Sequence, residues 1–139
     1  MPSTALIEAK AVIDLCGIAF GDGRGLPLLA YNVACCLPAF AVGTPVFKLA
    51  QALGPFETQP NRWLARFVLS RCALVVARGA RTLDHLKELG IKRALAMPDT
   101  SFAMTVTEEH RAAAAALMPP PVPGERLLVA SPSEVVRRL

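Results

Sequence analysis

The sequence has few aromatic residues and no dense cluster of one charge. Phe, Trp and Tyr make up 6% of its 139 residues, and the net charge of +4 is spread along the chain. The closest approach to a basic cluster is formed by Arg71, Arg78 and Arg81, and no aromatic residues alternate with them. Platforms that bind single-stranded nucleic acid combine the two residue types. We therefore expect no nucleic-acid partner.

Paired cysteines are missing too. The chain has no C-x-x-C pair, and its four cysteines all lie in apolar runs, at positions Cys16, Cys35, Cys36 and Cys72. A free cysteine in such a run behaves as a small buried hydrophobe. This pattern predicts a reducing, cytoplasmic compartment and no metal site.

We also expect no targeting signal and no membrane span in this sequence. The opening stretch, MPSTALIEAK, lacks a basic region before an apolar core, so we expect no secretory signal. The uncharged stretch from Gly25 to Phe47 is long enough to be considered as a membrane span. Three prolines, Gly43 and Asn32 interrupt it. A helix, a turn and a buried strand fit this stretch better.

No established catalytic motif is present. The segment GDGRG (21–25) matches neither G-x-G-x-x-G nor a phosphate loop ending in Gly-Lys-Ser/Thr. No Ser/His/Asp set and no carboxylate pair has a spacing that suggests a nucleophile or acid–base work. We predict that His85 and His110, on polar helix faces, are solvated rather than catalytic.

The sequence does contain a regular alternation of short apolar runs and helical patterns. Such alternation predicts an α/β fold, a Rossmann-like parallel sheet flanked by helices. Asn61 is predicted to be the N-cap of one helix, and Trp63 and the methionines are predicted to pack in the core. The predicted strands are 11–16, 46–50, 73–77 and 93–98, and the predicted helices are 27–42 (kinked near Pro38), 62–72, 80–90 and 107–118.

Three regions are expected along the chain. Residues 1–118 are predicted to be a partial N-terminal Rossmann-like domain, and the proline-rich stretch 119–125 a stiff linker. Residues 126–139 are predicted to begin a second domain with a fresh strand and the start of a helix. Both ends are expected to be cuts through a larger architecture.

Polar residues follow one predicted strand after another. In a parallel sheet the loops after the strands meet at one edge, where ligands bind. We therefore predict a binding site there, formed by Asp22, Gln51, Gly54, Pro55, Phe56, Arg78 and Asp99. Simpler alternatives stay open: GDGRG as a flexible turn, Arg78 as a partner of Asp99 or a helix cap, and Asp99 as a turn residue.

Together, these segments resemble the polysaccharide pyruvyl transferase family. The family has a strand ending in Gly before a Phe-x-Asp loop, a Gly-Lys-Pro-Val turn leading to Gly-Gln-Ser-x-Gly-Pro-Phe, an Arg-acidic pair before a Ser-x-x-x-Leu helix, and an Asp-x-x-Phe turn. The ordered match covers residues 9–105. The corresponding segments here are IDLCGIAFGDGRG, GTPVFKLAQALGPF, RCALVVARGARTLDHLKELGI and PDTSFAM.

Several positions depart from the family pattern. Cys16 stands where Gly is common, Ala50 and Ala52 replace Gly and Ser around Gln51, and Gly79 replaces the acidic neighbour of Arg78. The family's opening Gly-rich strand and nearly all of its second domain are not matched.

The resemblance implies an incomplete N-terminal half of a GT-B-like enzyme with two domains. Such an enzyme transfers pyruvate as a ketal from phosphoenolpyruvate, its donor substrate, to a sugar of a cell-wall or exopolysaccharide precursor, and needs no other cofactor. The groups that grip the donor belong mainly to the second domain, so this chain alone is expected to be inactive.

The partners implied are a glycan or lipid-linked saccharide acceptor, a nearby membrane through that lipid, and a second copy of the chain. Two alternatives remain: half of a GT-B sugar-nucleotide glycosyltransferase, and a non-catalytic truncated remnant.

Overall fold

The computed structural model describes residues 4–118 and Gly124, and the structural statements below concern that part of the chain. The chain divides into two units, residues 1–104 and 105–139. Strands and helices alternate through the first unit. In chain order its elements are α1 (Thr4–Glu8), β1 (Val12–Asp14), β2 (Ile18–Ala19), α2 (Leu26–Ala34), α3 (Leu37–Ala41), β3 (Val46–Leu53), α4 (Gln59–Leu69), β4 (Leu74–Arg78), α5 (Ala80–Glu88), β5 (Ala94–Met97) and a 3-10 helix (Thr100–Ala103).

Every strand pairing in this unit is parallel. The strand order is β1-β3-β4-β5, and β2 pairs with the last part of β3. The chain is thus an α/β protein whose parallel sheet is flanked by helices, consistent with a Rossmann-like domain, as the sequence predicts. The loops that follow the strands therefore share the carboxyl edge of the sheet.

Strand β3 is longer than predicted and continues past Ala50 to Leu53. Its register with β4 shifts between Lys48 and Gln51, and Ala50 takes a positive φ of 50°. Such an irregularity re-aims the side chains of a strand without ending it. The last residues of β3 then pair with the short strand β2, which the glycine-rich sequence did not predict.

The predicted helix 27–42 is two helices, α2 and α3, separated by a turn at Cys35 and Cys36. Pro38 lies in the first turn of α3. Proline has no N–H to donate and is tolerated in a first turn but not in a helix interior, so the chain restarts a helix there.

The prediction of Asn61 as an N-cap is wrong. Helix α4 begins at Gln59 with Thr58 as its N-cap, and Asn61 lies inside the helix with only 4% of its surface exposed. Trp63, predicted to pack in the core, is 67% exposed, and Met97, Met104 and Met118 are exposed too.

The cysteines divide into two pairs. Cys36 and Cys72 are buried, as predicted, whereas Cys16 and Cys35 are exposed. Burial raises the pKa of the Cys36 thiol and raises that of Cys72 to about 12. The core around these buried thiols includes Val75 of β4 and Leu86 of α5, both fully buried.

In the second unit the structure describes helix α6 (Glu108–Leu117). Thr107 is its N-cap, as predicted, and accepts a hydrogen bond from the His110 backbone N–H. The predicted second-domain start, 126–139, and the predicted linker, apart from a turn at Gly124, lie outside the described residues. None of the helices in the described part has the length and apolar character needed to cross a membrane.

Candidate functional site

The predicted site residues fall into separate groups at the carboxyl edge of the sheet. Asp22 follows β2, Gly54-Pro55-Phe56 follows β3, Arg78 ends β4, and Asp99 follows β5. Gln51 lies within β3, opposite Ala77 of β4. Contacts join Asp22 to the Gly54-Pro55-Phe56 loop, and Arg78 to Asp99, so the edge carries two polar centres.

The Asp22 carboxylate is the hub of the first centre. Its Oδ2 accepts a hydrogen bond from the Glu57 N–H at 2.5 Å, and its Oδ1 accepts one from the Thr58 hydroxyl at 2.6 Å. The Asp22 N–H in turn donates to the Pro55 carbonyl at 3.3 Å. These contacts fasten the loop after β2 to the loop after β3 and place a negative charge at the N-terminus of α4, where the helix dipole favours it.

The same contacts govern the ionisation of Asp22. Burial alone would raise its pKa, but the hydrogen bonds from Thr58 and Glu57 outweigh that effect, and the pKa lies below the ordinary value of 3.8. The carboxylate is therefore charged at neutral pH, as an acceptor of hydroxyl and N–H groups requires.

Asn61 is the central residue that the sequence reasoning missed. Its side-chain Nδ2 donates to the Phe20 carbonyl at 2.9 Å, to Asp22 Oδ1 at 2.8 Å and to the Pro55 carbonyl at 3.3 Å. Its Oδ1 is buried and has no hydrogen-bond partner among the residues described. Its spacing in the sequence could have predicted its burial, because residue 61 falls on the same helix face as the buried Ala65 and Val68.

A cavity of about 430 Å³ lies beside this hub. It is bounded by the glycine-rich loop, the first turn of α2 and the first turn of α4. The residues that line it are Gly21, Asp22, Gly23, Gly25, Leu26, Leu29, Thr58, Pro60 and Asn61. Its walls thus combine glycine backbone and apolar side chains with a few polar groups, a composition typical of small-molecule sites.

Gln51 is fully buried and does not line this cavity. Its Nε2 donates to the Asp14 carbonyl at 3.2 Å, and its Oε1 is buried without a partner in the described residues. Next to it the fully buried Lys48 donates to Asp14 Oδ2 at 2.5 Å, and its ammonium lies 5.3 Å from the centre of the Phe20 ring. Gln51 and Lys48 therefore hold the end of β1 against β3. In the sequence, the lysine inside an apolar strand was the feature that could have indicated this buried ion pair.

The Lys48–Asp14 pair keeps both charges despite burial. Burial favours the neutral forms, but the hydrogen bond between the two side chains outweighs it, so the pKa of Lys48 is raised and that of Asp14 is lowered. A charged lysine in the core is tolerated because its partner is in contact with it.

The second centre is the ion pair of Arg78 and Asp99. Arg78 Nη1 donates to Asp99 Oδ2 at 2.7 Å, and Asp99 Oδ1 accepts from the Ser101 N–H at 2.9 Å. The hydrogen bonds from Ser101 and Arg78 lower the pKa of Asp99. The structure thus shows the simpler role considered for each residue: Asp99 is a turn residue, and Arg78 pairs with it. About a third of each side chain stays exposed, 35% and 30% respectively, so both can still contact a ligand.

The Gly54-Pro55-Phe56 loop is held from its other side by α5. Gly54 has a positive φ of 84°, and a Cβ at this position would lie 3.0 Å from the Cβ and Cγ of His85. Phe56 is 5% exposed and belongs to the core. His85, predicted to be solvated, is instead only 22% exposed at its side chain. It lines a small cavity of about 120 Å³ together with Pro55 and Phe56.

The chain is thus an α/β protein with a parallel sheet, loops gathered at its carboxyl edge and a cavity beside them, which is the place where proteins of this class bind ligands. Among the described residues, no group of three or more His, Cys, Asp or Glu side chains could hold a metal ion.

Comparison with known proteins gives the family. The profile of the polysaccharide pyruvyl transferase family matches residues 7–133, and the chain belongs to this family. A relative is the amylovoran biosynthesis protein AmsJ of Erwinia amylovora, 32% identical over 99 residues, which are 70% of this chain and 23% of the relative. The chain thus spans about a quarter of that relative. No solved structure matches it.

Proposed function

We propose that this chain forms one wall of the cleft of a pyruvyl transferase that acts on a sugar of a cell-wall or exopolysaccharide precursor. In the reaction, the methylene carbon of phosphoenolpyruvate gains a proton and becomes a methyl group. Two sugar hydroxyl oxygens bond to the adjacent carbon while its bond to the phosphate oxygen breaks. One hydroxyl proton balances the new methyl group, and the other leaves with the phosphate.

The observation that carries the proposal is the cavity beside Asp22 and Asn61, in a chain of this family. Leu26, the first residue of α2, has a backbone N–H that lies outside the helical hydrogen bonds, and the half-buried Asp22 carboxylate is an acceptor on the same wall. A sugar hydroxyl both donates and accepts, so it can satisfy both kinds of group. We assign this cavity to the acceptor sugar.

The other predicted residues act at a distance from the sugar in this proposal. Gln51 and Phe56 are buried, so they support the loop and do not contact the ligand. Arg78 keeps exposed N–H donors beyond its contact with Asp99, and these serve an anionic or hydroxyl group at the other part of the edge. The groups that grip phosphoenolpyruvate, and the second GT-B-like domain that would carry them, are proposed to belong to the rest of the protein.

Calorimetric titration of this chain tests the proposal. We expect a galactose- or mannose-type acceptor to bind and phosphoenolpyruvate not to bind tightly. Tight donor binding, or the absence of any acceptor binding, would contradict the split of the cleft. The absence of acceptor binding would favour the alternative that the chain is a non-catalytic truncated remnant.

A matched pair of variants locates the acceptor. Leu26 lines the cavity and is 66% exposed, whereas Leu37 lies outside it and is 43% exposed. Both are the first residue of a helix and precede a proline. We expect Leu26→Trp to fill the cavity and abolish acceptor binding and Leu37→Trp to leave it unchanged. Equal effects of the two would refute the assignment of the cavity.

A further inference from the structure

The outward face of α4 carries an exposed aromatic residue in a ladder of three side chains. Trp63 is 67% exposed, and its ring stacks on Phe67 with 6.1 Å between the ring centres. The Arg71 guanidinium lies 3.9 Å from the centre of the Phe67 ring. Trp63 and Phe67 lie four residues apart on one side of α4, and Arg71 follows at the same spacing in the turn just after the helix. Trp63 and Phe67 together give this face a contiguous aromatic surface, which is more informative than a single exposed apolar residue.

The charges carried by α4 and the turn after it are all positive. Arg66 and Arg71 are exposed, and residues 58–83 contain no Asp or Glu. Arg62 is exposed too, but it donates to the Phe56 and Glu88 carbonyls and lines a small cavity together with Glu88. In the described residues none of these three arginines forms a salt bridge. The outward face of α4 is therefore basic, with an aromatic ring at its centre.

We propose that this face docks on an anionic membrane surface. Tryptophan rings prefer the headgroup level of a bilayer, where their apolar body and their N–H are both satisfied. Arginines beside it are attracted by acidic headgroups. Because the apolar side of α4 packs on the core, the helix lies on the membrane through Trp63 and its arginines rather than by insertion.

The same features disfavour other occupants. A symmetric contact with a second copy would bring Arg66 and Arg71 close to their own counterparts, which like-charge repulsion opposes. Single-stranded nucleic acid is gripped by several rings that stack successive bases, whereas here one ring is exposed and its neighbour Phe67 is partly buried. A lipid surface needs only one such anchor.

Docking would also orient the candidate site. Thr58, Pro60 and Asn61, at the start of α4, line the cavity assigned to the acceptor. A membrane in contact with α4 brings that cavity next to lipid headgroups, where the sugar of a lipid-linked acceptor lies. This consequence rests on the proposed function, but the docking does not. The test below contains neither sugar nor phosphoenolpyruvate, so the two proposals fail separately.

The experiment uses the single tryptophan of the chain as its probe. Trp63 emission is recorded while vesicles of phosphatidylcholine, alone or mixed with phosphatidylglycerol, are added to the full chain. We expect a blue shift and protection from iodide only with the anionic vesicles, and reversal by added salt. An unchanged spectrum, an equal response to neutral vesicles, or a larger response to a single-stranded oligonucleotide would overturn the proposal.

Three variants complete the test. Arg66→Gln with Arg71→Gln should weaken binding to anionic vesicles at least about tenfold. Lys92→Gln with Arg93→Gln removes the same charge from an exposed turn outside α4 and should change binding much less. Trp63→Ala, measured by sedimentation with vesicles, should bind more weakly, while its far-ultraviolet circular dichroism stays unchanged. Equal losses in the two double variants would mean that only net charge matters, and would refute docking through α4.

Discussion

Asn61 donates a hydrogen bond to Asp22 across 2.8 Å, between residues that are 39 positions apart in the chain. This contact, together with those from Thr58 and Glu57, closes the loop after β2 on the loop after β3. The wall of the candidate cavity therefore depends on a tertiary hydrogen-bond network and not on one loop.

Removal of the Asn61 amide should loosen that network. We expect Asn61→Ala to lower the free energy of unfolding by about 2 kcal/mol, since three acceptors lose a donor and two of them are backbone carbonyls. Urea unfolding measures the change. Asn32→Ala, at a buried position on α2 with no side-chain hydrogen bond among the described residues, is the control and should cost less. Equal losses would mean that the amide contributes only by packing.

Asp22 should make stability depend on pH in the acid range. Its pKa in the folded protein is below the ordinary 3.8, so its stabilising effect is complete above that value and is lost as the pH falls through the folded pKa. Wild type should exceed Asp22→Asn in stability at neutral pH, and the difference should shrink in acid. Asp14 and Asp99 also have lowered pKa values, but both proteins retain them, so the difference isolates Asp22. A gap that is independent of pH would contradict the network.

The loop after β3 should be sensitive to a side chain at Gly54 for two separable reasons, the positive φ of its backbone and the closeness of His85. Gly54 and Gly79 have the same positive φ, 84° and 85°, but only the Cβ at Gly54 would meet His85, whereas the one at Gly79 has open space. Gly79, with ψ of 172°, lies in a region that is essentially limited to glycine, so Gly79→Ala should cost about 1–3 kcal/mol for the backbone alone, and Gly54→Ala should cost more.

Chemical unfolding of both variants gives the difference, which is the cost of crowding His85. The double variant Gly54→Ala with His85→Ala should recover part of it. A Gly54→Ala protein as stable as Gly79→Ala would show that the loop moves freely away from α5.

The two members of the buried ion pair should respond unequally to removal. Asp14→Ala leaves the wholly buried Lys48 without its partner and should cost about 3–5 kcal/mol. Lys48→Met should cost less, because the Asp14 side chain is 22% exposed and can be solvated. The double variant should be more stable than Asp14→Ala alone. A double-mutant cycle followed by thermal unfolding checks this order, and strictly additive losses would contradict it.

The thiols should react in two classes. Cys16 and Cys35 are exposed, so a colourimetric thiol reagent should modify both in the folded protein. Cys36 and Cys72 are buried and their pKa values are raised, so their reactive thiolates should form only after unfolding. Titration in buffer and then in guanidinium counts each class. Four fast thiols in buffer would mean that the core around Cys72 is open.

Much of the fold follows from patterns that are local in sequence. Alternating apolar runs and helical periodicities predicted β3, β4 and α5 close to their observed positions, because propensity and burial agree there. They also predicted β5 and α6, whose residues are mostly exposed, so local propensity and the Thr107 N-cap were sufficient for these two elements. The break between α2 and α3 was visible as Pro38, whose missing N–H is a local property. The family resemblance likewise depended on the order of short segments, and the profile match confirms it.

The tertiary structure decided what the local signals left ambiguous. A polar residue near the start of a helix is typical of an N-cap. Asn61 is instead a buried donor to Asp22, because the glycine-rich loop packs against the start of α4. Gln51 reads as a strand-end ligand, yet the bulge in β3 turns it inward to Asp14. Cys16 and Cys35 were predicted to be buried, but apolar neighbours in the sequence do not show which side of an element packs against the core. Side-chain partners that are distant in sequence are set by packing between elements, and a linear pattern holds no record of that packing.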